Sequence, residues 1–101
     1  MWIMVMFDLP TETKAQRKAY AQFRKKLLND AFIMLQYSVY ARHCGSEENC
    51  RVHMERVKQW VPDHGEVRVV QFTDKQFERI QIFYGKMTVP PEKPAAQLSF
   101  F

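Results

Sequence analysis

Apolar and polar positions follow two rhythms along this chain. Met1 to Phe7 is a run rich in apolar residues closed by Asp8-Leu9-Pro10, the pattern of a buried strand that ends in a turn. Within it Ile3, Val5 and Phe7 share one face, and Trp2, Met4, Met6 and Asp8 share the other. Thr11-Glu12-Thr13 then supplies hydroxyls suited to a helix start, and Gln16, Ala19, Tyr20, Phe23 and Leu27 recur at three- and four-residue spacing. That spacing predicts a helix ending near Asn29. Ile33 to Tyr40 is dense in β-branched and aromatic residues and alternates, Ile33, Leu35, Tyr37 and Val39 against Met34, Gln36, Ser38 and Tyr40, which predicts a second strand. Ser46 followed by Glu47 and Glu48 caps a second helix, with Cys50, Met54, Val57 and Val61 on one face until Pro62 stops it. Val67 to Phe72 and Ile80 to Tyr84 read as two more strands, joined by residues 73–79.

The expected architecture is a ferredoxin-like βαββαβ domain of the α/β (α+β) class: a four-stranded antiparallel sheet with two helices on one face. Both faces of the first strand are apolar, and two helices cover only one of them. A second layer is therefore expected on the other, most simply the same face of a second subunit in a homodimer. The compact domain is expected to span residues 1–85. Val89-Pro90-Pro91-Glu92-Lys93-Pro94 cannot continue a helix or a central strand, so residues 86–101 form an extended Pro-rich tail. Its last apolar residues, Leu98, Phe100 and Phe101, either dock on this chain or a partner or belong to a frayed terminus.

Composition narrows the class. A chain of 101 residues that is 47% hydrophobic and 14% aromatic has material for one core and no room for two ordinary domains. No apolar run approaches the roughly 20 residues of a membrane-spanning helix, and the start lacks a basic segment and a small-residue cleavage site. A cytoplasmic location is the expectation. Cys44 and Cys50 are read as free thiols in a reducing compartment. The net charge of +4 favours polyanionic partners without identifying one.

The position of the charges says more. Lys14, Arg17, Lys18, Arg24 and Lys25 lie opposite the apolar face of the first helix, so they form either a solvated stripe or a track for phosphates. Asp8, on the face assigned to the dimer interface, is either a turn aspartate before Leu9-Pro10 or an oxygen ligand for a divalent cation. Two symmetry-related copies of it would share one ion and present it to a phosphate. His43, Cys44, Cys50 and His53 have zinc-ligand chemistry but unsuitable spacing, and packing is the better reading. Ser38, Ser46 and Ser99 have no convincing histidine partner, and the three glycines form no phosphate loop.

Taken together, Val5-Met6-Phe7-Asp8-Leu9-Pro10, the helix containing Arg17, Leu35-Gln36-Tyr37-Ser38-Val39-Tyr40, Phe72-Thr73-Asp74-Lys75-Gln76 and the tail Gln97-Leu98-Ser99-Phe100-Phe101 resemble the CRISPR-associated "Cas two" family, in the form that accompanies type II systems. The resemblance spans nearly the whole chain. It implies a ferredoxin-like homodimer that bridges two integrase dimers and holds double-stranded DNA before its insertion into the repeat array. It also implies that Asp8 binds magnesium, shared across the dimer, and that Arg17 takes part in activity. Some members of the family are magnesium-dependent endonucleases on RNA or DNA, and others act as scaffolds. One departure from the family pattern is Ala31, where a glycine commonly precedes the aromatic Phe32, and it bears on the turn from helix to strand. Two rival classes are a stand-alone metal-dependent endoribonuclease using Asp8 and a ferredoxin-like RNA-binding module. The latter would carry an RNP1-type motif that neither Val67 to Phe72 nor Ile80 to Tyr84 supplies.

Overall fold

The computed structural model describes residues 1–85. Its elements are β1 (Trp2–Asp8), α1 (Lys14–Asn29), β2 (Ile33–Gln36), β3 (Val39–His43), α2 (Glu47–Trp60), β4 (Glu66–Phe72) and a short α3 (Asp74–Glu78). The four strands form one antiparallel sheet in the order β2-β3-β1-β4, so β1 is central and flanked by β3 and β4. Both long helices pack on one face, where Phe23, Leu27, Cys50 and Val57 close over Ile3, Val5, Phe7 and Tyr40. The expected tail, with Leu98, Phe100 and Phe101, lies outside the described residues.

Local chemistry explains each boundary. Thr13 and Gln16 form a reciprocal capping box at the start of α1, with Gln16 N–H donating to Thr13 Oγ1 at 3.1 Å and Thr13 N–H to Gln16 Oε1 at 3.0 Å. The helix ends in a Schellman motif: Phe32 N–H reaches the Leu27 carbonyl at 3.0 Å and Ala31 N–H the Leu28 carbonyl at 3.1 Å. Ser46 caps α2 through Asn49 N–H at 3.0 Å. That helix stops at Trp60 because Val61, preceding Pro62, is held extended.

Two strand assignments differ from the expectation. The run Ile33 to Tyr40 is not one strand: it breaks at a two-residue turn, Tyr37-Ser38, with Ser38 at φ 64°, and its second half continues to His43. A register shift between Met34 and Gln36 disturbs the alternation further. Ile80 to Tyr84 is no strand among the described residues; it follows α3 with Ile82 and Phe83 exposed. The order βαββαβ therefore holds because the first of these runs supplies two strands, and the four-stranded sheet closes without the second.

The zinc reading fails on geometry. His43 faces Asp74 at 3.2 Å, while His53, only 4% exposed, lies with Nδ1 2.7 Å from Asp30 Oδ2. Among the described residues no three His, Cys, Asp or Glu side chains are grouped to hold a metal. Cys44 and Cys50 are buried free thiols, and burial together with the neighbouring Cys50 pushes the Cys44 thiol up to about 12.

Candidate nucleic-acid interface

The turns at one end of the sheet bring together most of the residues with chemistry. β1 carries Asp8 out of the core at its C-terminal end, exposed, after Phe7 has anchored the strand among Tyr20, Phe23 and Tyr40. Alternation places Asp8 on the face opposite the helices. Its ladder neighbour is Glu66, the first residue of β4, so two carboxylates stand side by side on that face. Arg68, two residues on and on the same face, donates from Nε to Glu66 Oε1 at 3.3 Å. Gly65 fixes the approach of the two segments: at φ 103° it sits where a Cβ would lie 2.7 Å from Leu9 Cδ2 and 2.9 Å from the Asp8 carbonyl oxygen.

Neither Glu66 nor Gly65 stood out in the sequence. The Asp63-His64-Gly65 turn was its one signal, and only the ladder register shows what it faces. Asp8 and Glu66 are a donor set of one or two carboxylates open to water. That suits a hard cation such as magnesium, which keeps several of its waters, and does not suit a closed all-protein cage.

The five cations of α1 are all exposed, but they do not form one stripe. At 100° per residue Lys14, Lys18 and Lys25 fall within about 40° of one another, opposite buried Phe23 and Leu27. Arg17 and Arg24 lie on the flank next to Tyr20 and are engaged within the chain. Arg17 Nη1 donates to the carbonyls of Thr11 at 3.2 Å and Glu12 at 3.0 Å, bracing the loop that follows Asp8. Arg24 Nε donates to the Tyr40 hydroxyl at 2.8 Å.

The β2–β3 turn reaches the same end. Phe7 N–H donates to the Ser38 carbonyl at 3.1 Å, which seats the turn beside the exit of β1, and the Ser38 and Tyr20 hydroxyls are 2.8 Å apart. This end of the molecule therefore carries a carboxylate pair, two braced guanidinium groups and a tyrosine turn, and the lysine ridge runs along the outer side of α1.

Such a combination defines a small ferredoxin-like protein with an exposed carboxylate pair and a cationic helix. Comparison with known sequences makes the class particular: the family model for CRISPR associated protein Cas2 matches residues 1–80, and the chain belongs to that family. The CRISPR-associated endoribonuclease Cas2 of Flavobacterium psychrophilum is 52% identical over 101 residues, covering 100% of this chain and 88% of that protein. The protein of the same name from Parvibaculum lavamentivorans is 54% identical over the full length of both. Among solved structures, the crystal structure of Streptococcus pyogenes Cas2 at pH 6.5 superposes with a TM-score of 0.63 at 20% identity, covering 83% of this chain and 100% of that one. At that identity the likeness supports the fold alone. No helix among the described residues is long and apolar enough to cross a membrane.

Proposed function

We propose that this protein is a homodimeric subunit of CRISPR adaptation that binds double-stranded DNA, bridges integrase dimers during spacer acquisition, and hydrolyses phosphodiesters at a magnesium site built on Asp8. The observation that carries the reading is the exposed Asp8 beside Glu66 at one end of the sheet, on a protein whose helix α1 presents a row of exposed cations. The relatives' designation as endoribonucleases supports the hydrolytic part. Exposed Ile82 and Phe83 after α3, together with the apolar middle of the open face, support the dimer.

In this reading Asp8 and its symmetry mate hold the cation, with Glu66 tethered by Arg68 alongside. Magnesium, when bound, would supply an activated water and neutralise charge on the phosphate. The protein's own part is positional. Lys14, Lys18 and Lys25 hold the backbone without regard to sequence, and Arg17 keeps the loop after Asp8 in place with its remaining N–H groups free of hydrogen bonds among the described residues.

The test is binding and cleavage by the purified full chain, with and without the integrase. Stable co-purification with the integrase and salt-sensitive duplex binding are expected, with any cleavage of RNA or DNA requiring magnesium. Metal-dependent RNA cleavage by a chain that neither binds duplex DNA nor retains the integrase would favour the stand-alone endoribonuclease.

A further inference from the structure

An aromatic column runs from the core to the surface at the Asp8 end. Phe23 meets Phe7 edge-on with ring centroids 5.0 Å apart, Phe7 meets Tyr20 at 5.6 Å, and Tyr20 stacks on Tyr37 at 6.1 Å with the planes 23° apart. The column ends on Tyr37, which is 78% exposed, so the outer face of its ring is open. A large aromatic ring presented this way in a two-residue turn contributes little to the core. The turn itself is held firmly, by Ser38 O on Phe7 N–H and by the Ser38 and Tyr20 hydroxyls, so the ring is positioned before any partner arrives.

Its surroundings identify the partner. Arg17 and Arg24 stand about one helical turn either side of Tyr20, on the same flank of α1, and each is braced through one part of its guanidinium group. Guanidinium groups that bracket Tyr20, the ring on which Tyr37 stacks, match the repeat of a nucleic-acid strand, where a base is flanked by phosphates. Tyr37 donating its phenol proton toward Tyr20, and the neighbouring Tyr20 phenol itself, raise the Tyr37 pKa above its ordinary value, so the platform is uncharged. We infer that Tyr37 is a stacking platform for an unpaired nucleobase, with Arg17 and Arg24 taking the adjacent phosphates. The platform places that strand next to Asp8, since the turn is bonded to the residue that precedes it. This rests on the nucleic-acid-binding reading above and adds to it a preference for a strand with unpaired bases over a fully paired one.

The experiment measures affinity of the full chain, in the absence of divalent ions, for three probes: a blunt duplex, the same duplex with a single-stranded thymine tail, and that tail with abasic sites. Wild type should bind the thymine tail roughly tenfold more tightly than the blunt end, the scale of one base stacked on an aromatic ring. The abasic tail, which keeps every phosphate, should lose that gain. Tyr37→Ala should bind all three probes alike, Tyr37→Phe should restore the preference, and neither should alter the thermal unfolding midpoint beyond a few degrees, because the ring is exposed. A wild-type preference undiminished in Tyr37→Ala, or equal affinity for abasic and thymine tails, would overturn the platform and leave duplex binding standing. Failure of wild type to bind any probe would remove both readings.

Discussion

The two faces of the sheet share one set of strands and do different work. On the helix side, Ile3 and Val5 are fully buried, and Tyr40 and Val57 nearly or wholly so, giving the close packing that sets the protomer's stability. On the other side, Met4 and Met6 are only half-buried, Val39 and Val70 lie level with them, and among the described residues cover comes at the end where Phe77 of α3 stacks on Trp2 at 3.8 Å. Asp8 and Glu66 occupy the opposite end. A strand with period two can supply both surfaces only by giving each alternate residues, so changes on one face should reach the other weakly. Substitutions can test that separation.

The largest effect is expected at Asp8. Asp8→Asn keeps the shape of the side chain and removes its charge, and the residue is exposed at a strand end. Magnesium-dependent cleavage should fall to background while the unfolding midpoint and dimer remain those of wild type. Removing a neighbour of Glu66's charge relieves like-charge repulsion across the ladder, so stability should if anything rise slightly. Cleavage that persists would remove Asp8 from the active site. A collapse of stability would show that the two faces are not separable.

On the helix side the corresponding residue is Asp30. It receives His53 Nδ1 and Arg56 Nη1, each at 2.7 Å, and its backbone carbonyl accepts from Arg42 of β3, so one residue ties α1, α2 and the sheet. Asp30→Ala leaves a buried histidine without its partner and should cost about 3 kcal/mol, visible as a drop of at least about 10 °C in the thermal midpoint. Nucleic-acid affinity of the folded fraction at low temperature should stay unchanged. A drop under about 1 kcal/mol in urea unfolding would mean that the network contributes little.

Along α1 the contrast is between the lysine ridge and the arginine flank. Replacing Lys14, Lys18 and Lys25 together by Ala should lower the slope of log affinity against log salt for a blunt duplex by about 2–3, roughly one phosphate for each lost cation. The fold should be untouched, because all three are exposed. An unchanged slope would route the duplex elsewhere.

Much of this division can be read in the sequence, because it follows from local rules. The faces of β1 are a matter of alternation, and the spans of α1 and α2 a matter of periodicity and caps. What alternation could not show was the break at Tyr37-Ser38, because the turn carries no glycine, asparagine or proline and places a serine at positive φ. Helix α3 has a signal in the sequence: Thr73-Asp74-Lys75-Gln76 has the same capping-box spacing as Thr13-Lys14-Ala15-Gln16, and both boxes form. Ile80 to Tyr84 has strand composition and finds no pairing strand in the described protomer, since sheet formation depends on a neighbour as well as on the segment itself. At the candidate site, Asp8 and the cations were visible as residue types. The pairing of Asp8 with Glu66, the close approach of Gly65 and the splitting of the cations into two rows are tertiary facts that no local pattern carries.

The smallest expected effect is at Ala31. The Schellman motif that ends α1 needs a left-handed residue, and Ala31 adopts φ 66° there, a conformation that places its Cβ close to the carbonyl oxygen. Glycine adopts it without that penalty, though it gives up more entropy on folding. The motif is worth the strain because it turns the chain directly from Leu27 into Phe32, both buried, and presents Asp30 to His53. Ala31→Gly should therefore stabilise the protomer by about 1 kcal/mol, a rise of about 4–8 °C in the thermal midpoint for a domain of this size. It should leave cleavage, the salt slope and the Tyr37-dependent preference as they are, since it lies on the helix side away from the Asp8 end. A loss of stability would mean that the unfolded-state entropy of glycine outweighs the relief of strain, and that the alanine is the better residue in this turn.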